Sequence, residues 1–223
     1  MSPAPTAVPA DDPDLTVRRL PEYQVTERAV LHQILDEAVV AHVGVVRDAR
    51  PVVLPFVCAR DGDSLLLHGS TGAGTLRRAA REPVCVTVTH LDAMVVARSV
   101  FESSVHYRSA VILGDAEVLD GPAKERALAR ISEHLLPGRT LEVRDSTRKE
   151  LAATLVLRVP LDRASVKVGR SPASEVDDGE SREVWAGIVP LAVRAGDPQP
   201  AADVSPGVEV PASVQALRGR LAP

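Results

Sequence analysis

The stretch Leu65–Thr89, LLLHGSTGAGTLRRAAREPVCVTVT, decides how this chain is read. It spells strand, glycine-rich turn, short basic helix, strand. The run Leu65-Leu66-Leu67 closes on His68. Gly69, Gly72 and Gly74, with the hydroxyls of Ser70, Thr71 and Thr75, let backbone N–H groups approach a ligand closely. The helix predicted over Thr75–Arg81 turns its positive dipole end to that turn and carries Arg77, Arg78 and Arg81. A phosphate held beside a sheet suits the arrangement; so does a plain strand-to-helix turn. No Lys follows the glycines, so this is not a Walker loop. Arg77 stands where the third glycine of G-x-G-x-x-G belongs. Val84, Val86 and Val88 alternate with Cys85, Thr87 and Thr89, the period of a strand.

Working outward, Thr26 caps a predicted helix reaching Glu37, with Val30, Leu31, Ile34, Leu35 and Ala38 on one face. Val39–Val46 and Pro51–Cys58 read as an antiparallel pair joined at hairpin length. Asp61-Gly62-Asp63 is a turn into Ser64–His68. Downstream, Leu91-Asp92-Ala93 reads as a turn, Met94–Ala97 as a short strand and Arg98–Val105 as a polar loop. Tyr107–Leu119 is a long strand broken at Gly114. Gly121-Pro122 opens a helix that Pro137-Gly138 ends, and a second helix spans about Asp145–Ala152. Thr154–Leu161 is a last core strand. Helices are inserted rather than alternating with strands. The expected class is therefore mainly β with helices (α+β), an antiparallel barrel with helices at its ends.

Residues 1–14 read as a disordered arm, 15–193 as one domain, and 194–223 as a mobile Pro/Ala-rich tail. The 223 residues are 45% hydrophobic, enough for one sizeable core. A net charge of -4 and 2% aromatics give no case for a nucleic-acid partner. No membrane span or signal peptide is visible, so a cytoplasmic protein is expected. Cys58 and Cys85 read as small buried hydrophobes.

Two polar clusters stand out: His68 with its glycine turn, and Ser103-Ser104-Val105-His106-Tyr107-Arg108-Ser109 before a buried strand. His42, in an apolar strand, and His32, on a helix, read as structural. No histidine or cysteine set has metal-ligand spacing, though one histidine suffices for haem iron.

Four motifs in order carry a resemblance: LLLHGSTGAGTLRR, VCVTVTHLD, FESSVHYRSAVILGDA and WAGIVPL. Together they resemble the flavin-nucleotide-binding branch of the pyridoxamine 5'-phosphate oxidase-like superfamily, and within it the nitroimidazole-resistance (Nim) proteins, over about residues 18–191. The resemblance implies a split β-barrel homodimer with FMN in a cleft between subunits. It implies a flavin-dependent oxidoreductase acting on a small-molecule substrate. The alternatives are a haem- or deazaflavin-binding enzyme on the same barrel, or a non-catalytic flavin-binding regulator. His68 is implied as the histidine beside the flavin and as the proton donor. Gly69, Ser70, Thr75, Arg77 and Arg78 are implied in the phosphate segment. Ser104, His106, Tyr107, Arg108 and Ser109 are implied along the cleft. Lys167 and Trp185 are implied at its cover. Thr75 replaces the family's usual basic residue, which removes a phosphate contact of roughly 1.5–3 kcal/mol.

Overall fold

In chain order the elements begin with β1 (Gln24–Val25), α1 (Arg28–Glu37), β2 (Val40–Arg47), β3 (Arg50–Asp61) and β4 (Ser64–Ser70). Then come α2 (Gly74–Ala79), β5 (Val84–Val96), β6 (Ser104–Gly114), β7 (Glu117–Val118) and α3 (Gly121–Leu135). The chain continues through α4 (Arg148–Ala153), β8 (Thr154–Pro160), β9 (Ala164–Gly169), β10 (Gly187–Pro190) and α5 (Ala212–Arg220). The computed structural model describes residues 12–173 and 183–220, the side chains of 218–220 excepted. Most of the expected N-terminal arm, part of the polar stretch after Arg170 and the last three residues fall outside the described residues.

The strands form one antiparallel sheet in the order β1-β9-β6-β5-β2-β3-β4-β8-β7, curled into a split barrel. The hairpin β2–β3 turns on Asp48 and Ala49, both left-handed (φ 50° and 59°), the twist that a tight two-residue turn requires. β5 is long enough to serve three partners. It pairs with β6 along one edge and offers the other edge to β2 at Cys85–Thr87 and to β10 at Ala93–Val96. The turn expected at Leu91-Asp92-Ala93 is instead a bulge within β5, and the short strand expected after it is the same strand continued. The long strand expected over Tyr107–Leu119 is two, β6 and β7, and β6 starts early, at Ser104. β9 was not anticipated.

Strand alternation sorts the side chains into two layers. Ala41, Val43, Val86, Val88, Ala110, Ile112, Leu65 and Leu67 point into the barrel, where Leu31, Ile34 and Leu35 of α1 and Leu76 of α2 meet them. Leu66 points the other way. With Ala59 and Val156 it packs under Ala127 and Ile131 of α3. That double coverage is why Leu65, Leu66 and Leu67 are all fully buried and the run does not alternate in polarity. Toward the C-terminus, in the stretch expected as a mobile tail, α5 sets Ser213 in a buried position, where its amide and hydroxyl both donate to Glu142. No helix among the described residues is long and apolar enough to cross a membrane.

Candidate functional site

β4 and α2 carry the first group of expected site residues. His68, Gly69 and Ser70 lie opposite Val156, Leu155 and Thr154 of β8. Gly69 has a packing reason: a Cβ there would sit 2.6 Å from Leu76 Cδ1, so glycine lets α2 close onto the strand. The turn is largely self-satisfied. Thr71 N–H donates to the Ala153 carbonyl, Gly72 N–H to Ser70 Oγ (3.1 Å), and Ala73 N–H to the Ser70 carbonyl. The amides left for a ligand are those of Gly74, Thr75 and Leu76 in the first turn of α2, which has no side-chain cap. Thr75 is buried beneath that turn. Arg78 is held by Glu82 at 2.8 Å. Arg77 is exposed and makes no ion pair among the described residues.

His68 is half-buried and has no hydrogen-bond partner among the described residues. Burial lowers its pKa below the ordinary histidine value, which favours the neutral imidazole. The sign follows from linkage. A depressed folded-state pKa contributes stability that is present above about pH 6.5 and is lost as pH falls through the lower folded value. Stability measured by urea unfolding should therefore drop between pH 7 and 5 more steeply in the wild type than in His68→Gln. Parallel curves would show that His68 is not desolvated.

The Tyr107-Arg108-Ser109 signature is divided by the strand that carries it. Arg108 shares the inward parity of Ala110 and Ile112, while Tyr107 and Ser109 face outward. The Arg108 guanidinium donates twice to Asp92 through Nε and Nη2 and once to Glu37 at 2.7 Å. It ties the C-terminus of α1 to the bulge of β5 and is not a free cation. Burial pushes the Glu37 pKa up, but donation from Arg108 and Gln33 outweighs it and holds the carboxyl below its ordinary value. His106, on the same side, bonds the Ser171 carbonyl at 2.6 Å. His106, Arg108, Glu37, Asp92 and Arg170 border a cavity of about 490 Å³.

The outward residues lie on the face that also carries His68. Ser109 sits between Thr89 of β5 and Lys167 of β9, and Val40 of β2 sits opposite Val57 of β3. Continuing the β3–β4 ladder by one residue puts His68 beside Val57. Continuing the β2–β5 ladder by two puts Val40 beside Thr89. One row thus runs His68, Val57, Val40, Thr89, Ser109, Lys167 across the outside of the barrel. At a strand spacing near 4.8 Å, His68 and Ser109 are about 19 Å apart around the sheet. Lys167 Nζ bonds the Arg19 carbonyl at 3.1 Å. Tyr107 faces Gly169, where a Cβ would stand 3.0 Å from its ring. Ser104, exposed, is opposite Val95 of β5, and Val96 next to it pairs with Gly187 of β10. Trp185, 63% exposed, lies against Gly187 and so joins this end of β6 rather than the β4 end.

The structure therefore makes one neighbourhood of His68, Gly69, Ser70, Thr75, Arg77 and Arg78. A second holds Tyr107, Ser109 and Lys167, while Ser104 and Trp185 lie at the far end of β6, by Val95 and Val96. Arg108 and His106 form a third, on the inward-parity side. Glu37, Asp92 and Val40 were missed. Only Val40 carried a signal, its alternation with buried Ala41. Among the described residues no group of three or more His, Cys, Asp or Glu could hold a metal ion. Cys58 and Cys85 are free thiols, and burial pushes Cys58 up to about 12.

Known proteins share this fold. Similarity to a FAD and heme binding protein from Mycobacterium smegmatis is 44% identity over 88% of this chain and 97% of that one, with a TM-score of 0.85. The flavocytochrome Anf3 from Azotobacter vinelandii matches at 28% identity over 93% and 97%, TM-score 0.86. A protein assigned to 5-nitroimidazole antibiotic resistance from Bacteroides thetaiotaomicron shares the fold at 23% identity over 65% and 86%, TM-score 0.56. A search of curated proteins finds no match. Residues 27–168, from the start of α1 to β9, match the profile of the pyridoxamine 5'-phosphate oxidase family, and the chain belongs to that family.

Proposed function

We propose that the outer face of the barrel binds a flavin nucleotide along the row from His68 to Lys167, and that the protein is a homodimeric flavin-dependent oxidoreductase that also carries haem. The observation that carries this reading is the row itself. It ends at the half-buried imidazole of His68, which has no hydrogen-bond partner among the described residues and is followed in the chain by the glycine turn and by α2, a helix with no side-chain cap. The two relatives that match this chain over most of its length are described as a FAD and heme binding protein and as a flavocytochrome.

A bound flavin supplies the electron transfer. The residues divide the remaining work. The amides of Gly74, Thr75 and Leu76, with Arg77, attract phosphate. Val40 and Thr89 give a floor of one apolar side chain and one hydroxyl, bounded by Val57, which packs toward α3. His68 holds a hydrogen bond or moves a proton at the flavin. Arg108 keeps β5 and α1 in place and touches nothing on the row. FMN follows from the sequence resemblance; the relative at 44% identity points to FAD.

The test is titration of flavin-free protein with FMN, FAD, riboflavin and a deazaflavin. Saturable quenching of flavin fluorescence is expected, with riboflavin weaker for want of a phosphate. Binding of none of the four contradicts the reading.

The dimer follows from the same face. Val40, Val46 and Val53 are 42%, 57% and 59% exposed on adjoining strands, an apolar patch that a second copy would cover. Sedimentation at micromolar concentration should give twice the mass of the chain. A mass of one chain would overturn the dimer.

A further inference from the structure

We infer that, in the homodimer, each copy seats Val100 and Phe101 in an apolar groove on the outer face of the other. This rests on the dimer proposed above and names a contact that holds it. Val100 and Phe101 are both 96% exposed at the tip of the β5–β6 loop. The loop is braced. Ser103 Oγ donates to the Ser99 carbonyl (2.9 Å) and accepts from Ala97 N–H (3.2 Å), and Ser99 Oγ accepts from Glu102 N–H (3.1 Å). The brace holds two large apolar side chains out in water. The chain's other phenylalanine, Phe56, packs against the core. An apolar tip of this kind gains by entering an apolar socket.

The socket lies at the opposite end of the same hairpin. A groove of about 510 Å³ is lined by Val46, Pro51, Val53, Pro83, Cys85 and Leu113. It shares Val46 and Val53 with the exposed valine patch and so continues the surface already assigned to a second copy. Arg163 at its rim is held by Asp12 and Asp14. Tip and socket cannot meet within one chain, because β5 runs from Val84 to Val96 between them, about 40 Å at the rise of a strand. A two-fold axis through the outer face brings them together between chains. Leu91 of β5 is exposed and shares the outward parity of Cys85. It lies about 20 Å from Cys85 in one direction and about 20 Å from the start of the loop in the other. Turning one copy about an axis at Leu91 lays its loop over the groove of the other, and the same operation seats the second loop. The charges agree. Glu102 follows the apolar tip, and Arg47 and Arg50 stand in the β2–β3 turn, next to Val46 and Pro51 of the groove. None of these three has an ion pair among the described residues.

The test is a disulfide cross-link in the full-length protein, with sedimentation alongside. On mild oxidation Phe101→Cys should give a covalent dimer through Cys85 of the second copy, read on a non-reducing gel. The same substitution in a Cys85→Ser chain should give at least tenfold less, and adding Val53→Cys to that chain should restore the product across the groove. The Cα atoms of a disulfide lie within about 7 Å, so neither bond can close inside one chain. Phe101→Asp changes a side chain already in water. It should keep its fold by circular dichroism and raise the dimer dissociation constant at least tenfold. No covalent dimer from either pair, or an unchanged constant in Phe101→Asp, overturns the contact and leaves the dimer standing. Wild type that floats with phosphatidylcholine vesicles, with Phe101→Asp released from them and still dimeric, would assign the tip to a lipid surface and overturn it too. Wild type that sediments as one chain would remove the dimer itself and the inference with it.

Discussion

Arg108→Ala is expected to destabilise the protein by about 2 kcal/mol, with flavin affinity little changed. The guanidinium is 18% exposed and holds two carboxylates from separate elements, Glu37 at the end of α1 and Asp92 in the β5 bulge. Removing it leaves two like charges facing each other beside a helix C-terminus, where a cation is favoured. Partial exposure moderates the loss, which is why the figure is below that of a fully buried pair. In a chain of this size it corresponds to a melting temperature lower by about 4–8 °C. Arg108→Lys should recover only part, because an ammonium cannot reproduce the fork on Asp92. The deficit should shrink in acid. Glu37 is held below its ordinary pKa, so its stabilisation is present above about pH 4.3 and fades as pH falls through the lower folded value. Unchanged stability with a large loss of flavin affinity would show that Arg108 binds the ligand after all, as the Tyr-Arg-Ser resemblance first implied.

The second large effect concerns Val40, at the middle of the proposed row. Val40→Asp should weaken flavin binding by at least thirtyfold, about 2 kcal/mol, the scale of one buried apolar side chain. Val40 is 42% exposed, so the free protein should remain folded, with a cost of about 1 kcal/mol for Asp in a strand. The same change should raise the dimer dissociation constant. Val118→Asp is a comparison on β7, also exposed, and should leave both unchanged. If Val40→Asp binds flavin like wild type, the row is not the site.

Much of this was legible in the chain. The apolar face Leu31, Ile34, Leu35 announced α1, and hairpin spacing announced β2–β3. Gly121-Pro122 marked the start of α3. What escaped notice depended on partners distant in sequence. Asp92 and Ala93 read as a turn because nothing nearby shows that Arg108 holds Asp92 inside a strand. β9 hid because Lys167 interrupts its apolar residues; only the ladder with β6 makes it a strand. The glycine turn suggested a phosphate loop from composition, but where its amides point depends on Ala153, more than eighty residues away. His42 read as structural because its neighbours are apolar. Alternation alone puts it on the opposite face from Ala41 and Val43, yet only the sheet shows that this face is open.

The absorption spectrum of the full-length protein as isolated, before any cofactor is added, tests the central claim most directly. The proposed function predicts both flavin bands and a Soret band, with bound flavin released on denaturation. A spectrum with neither, unchanged after incubation with FAD, FMN and hemin, would contradict the account.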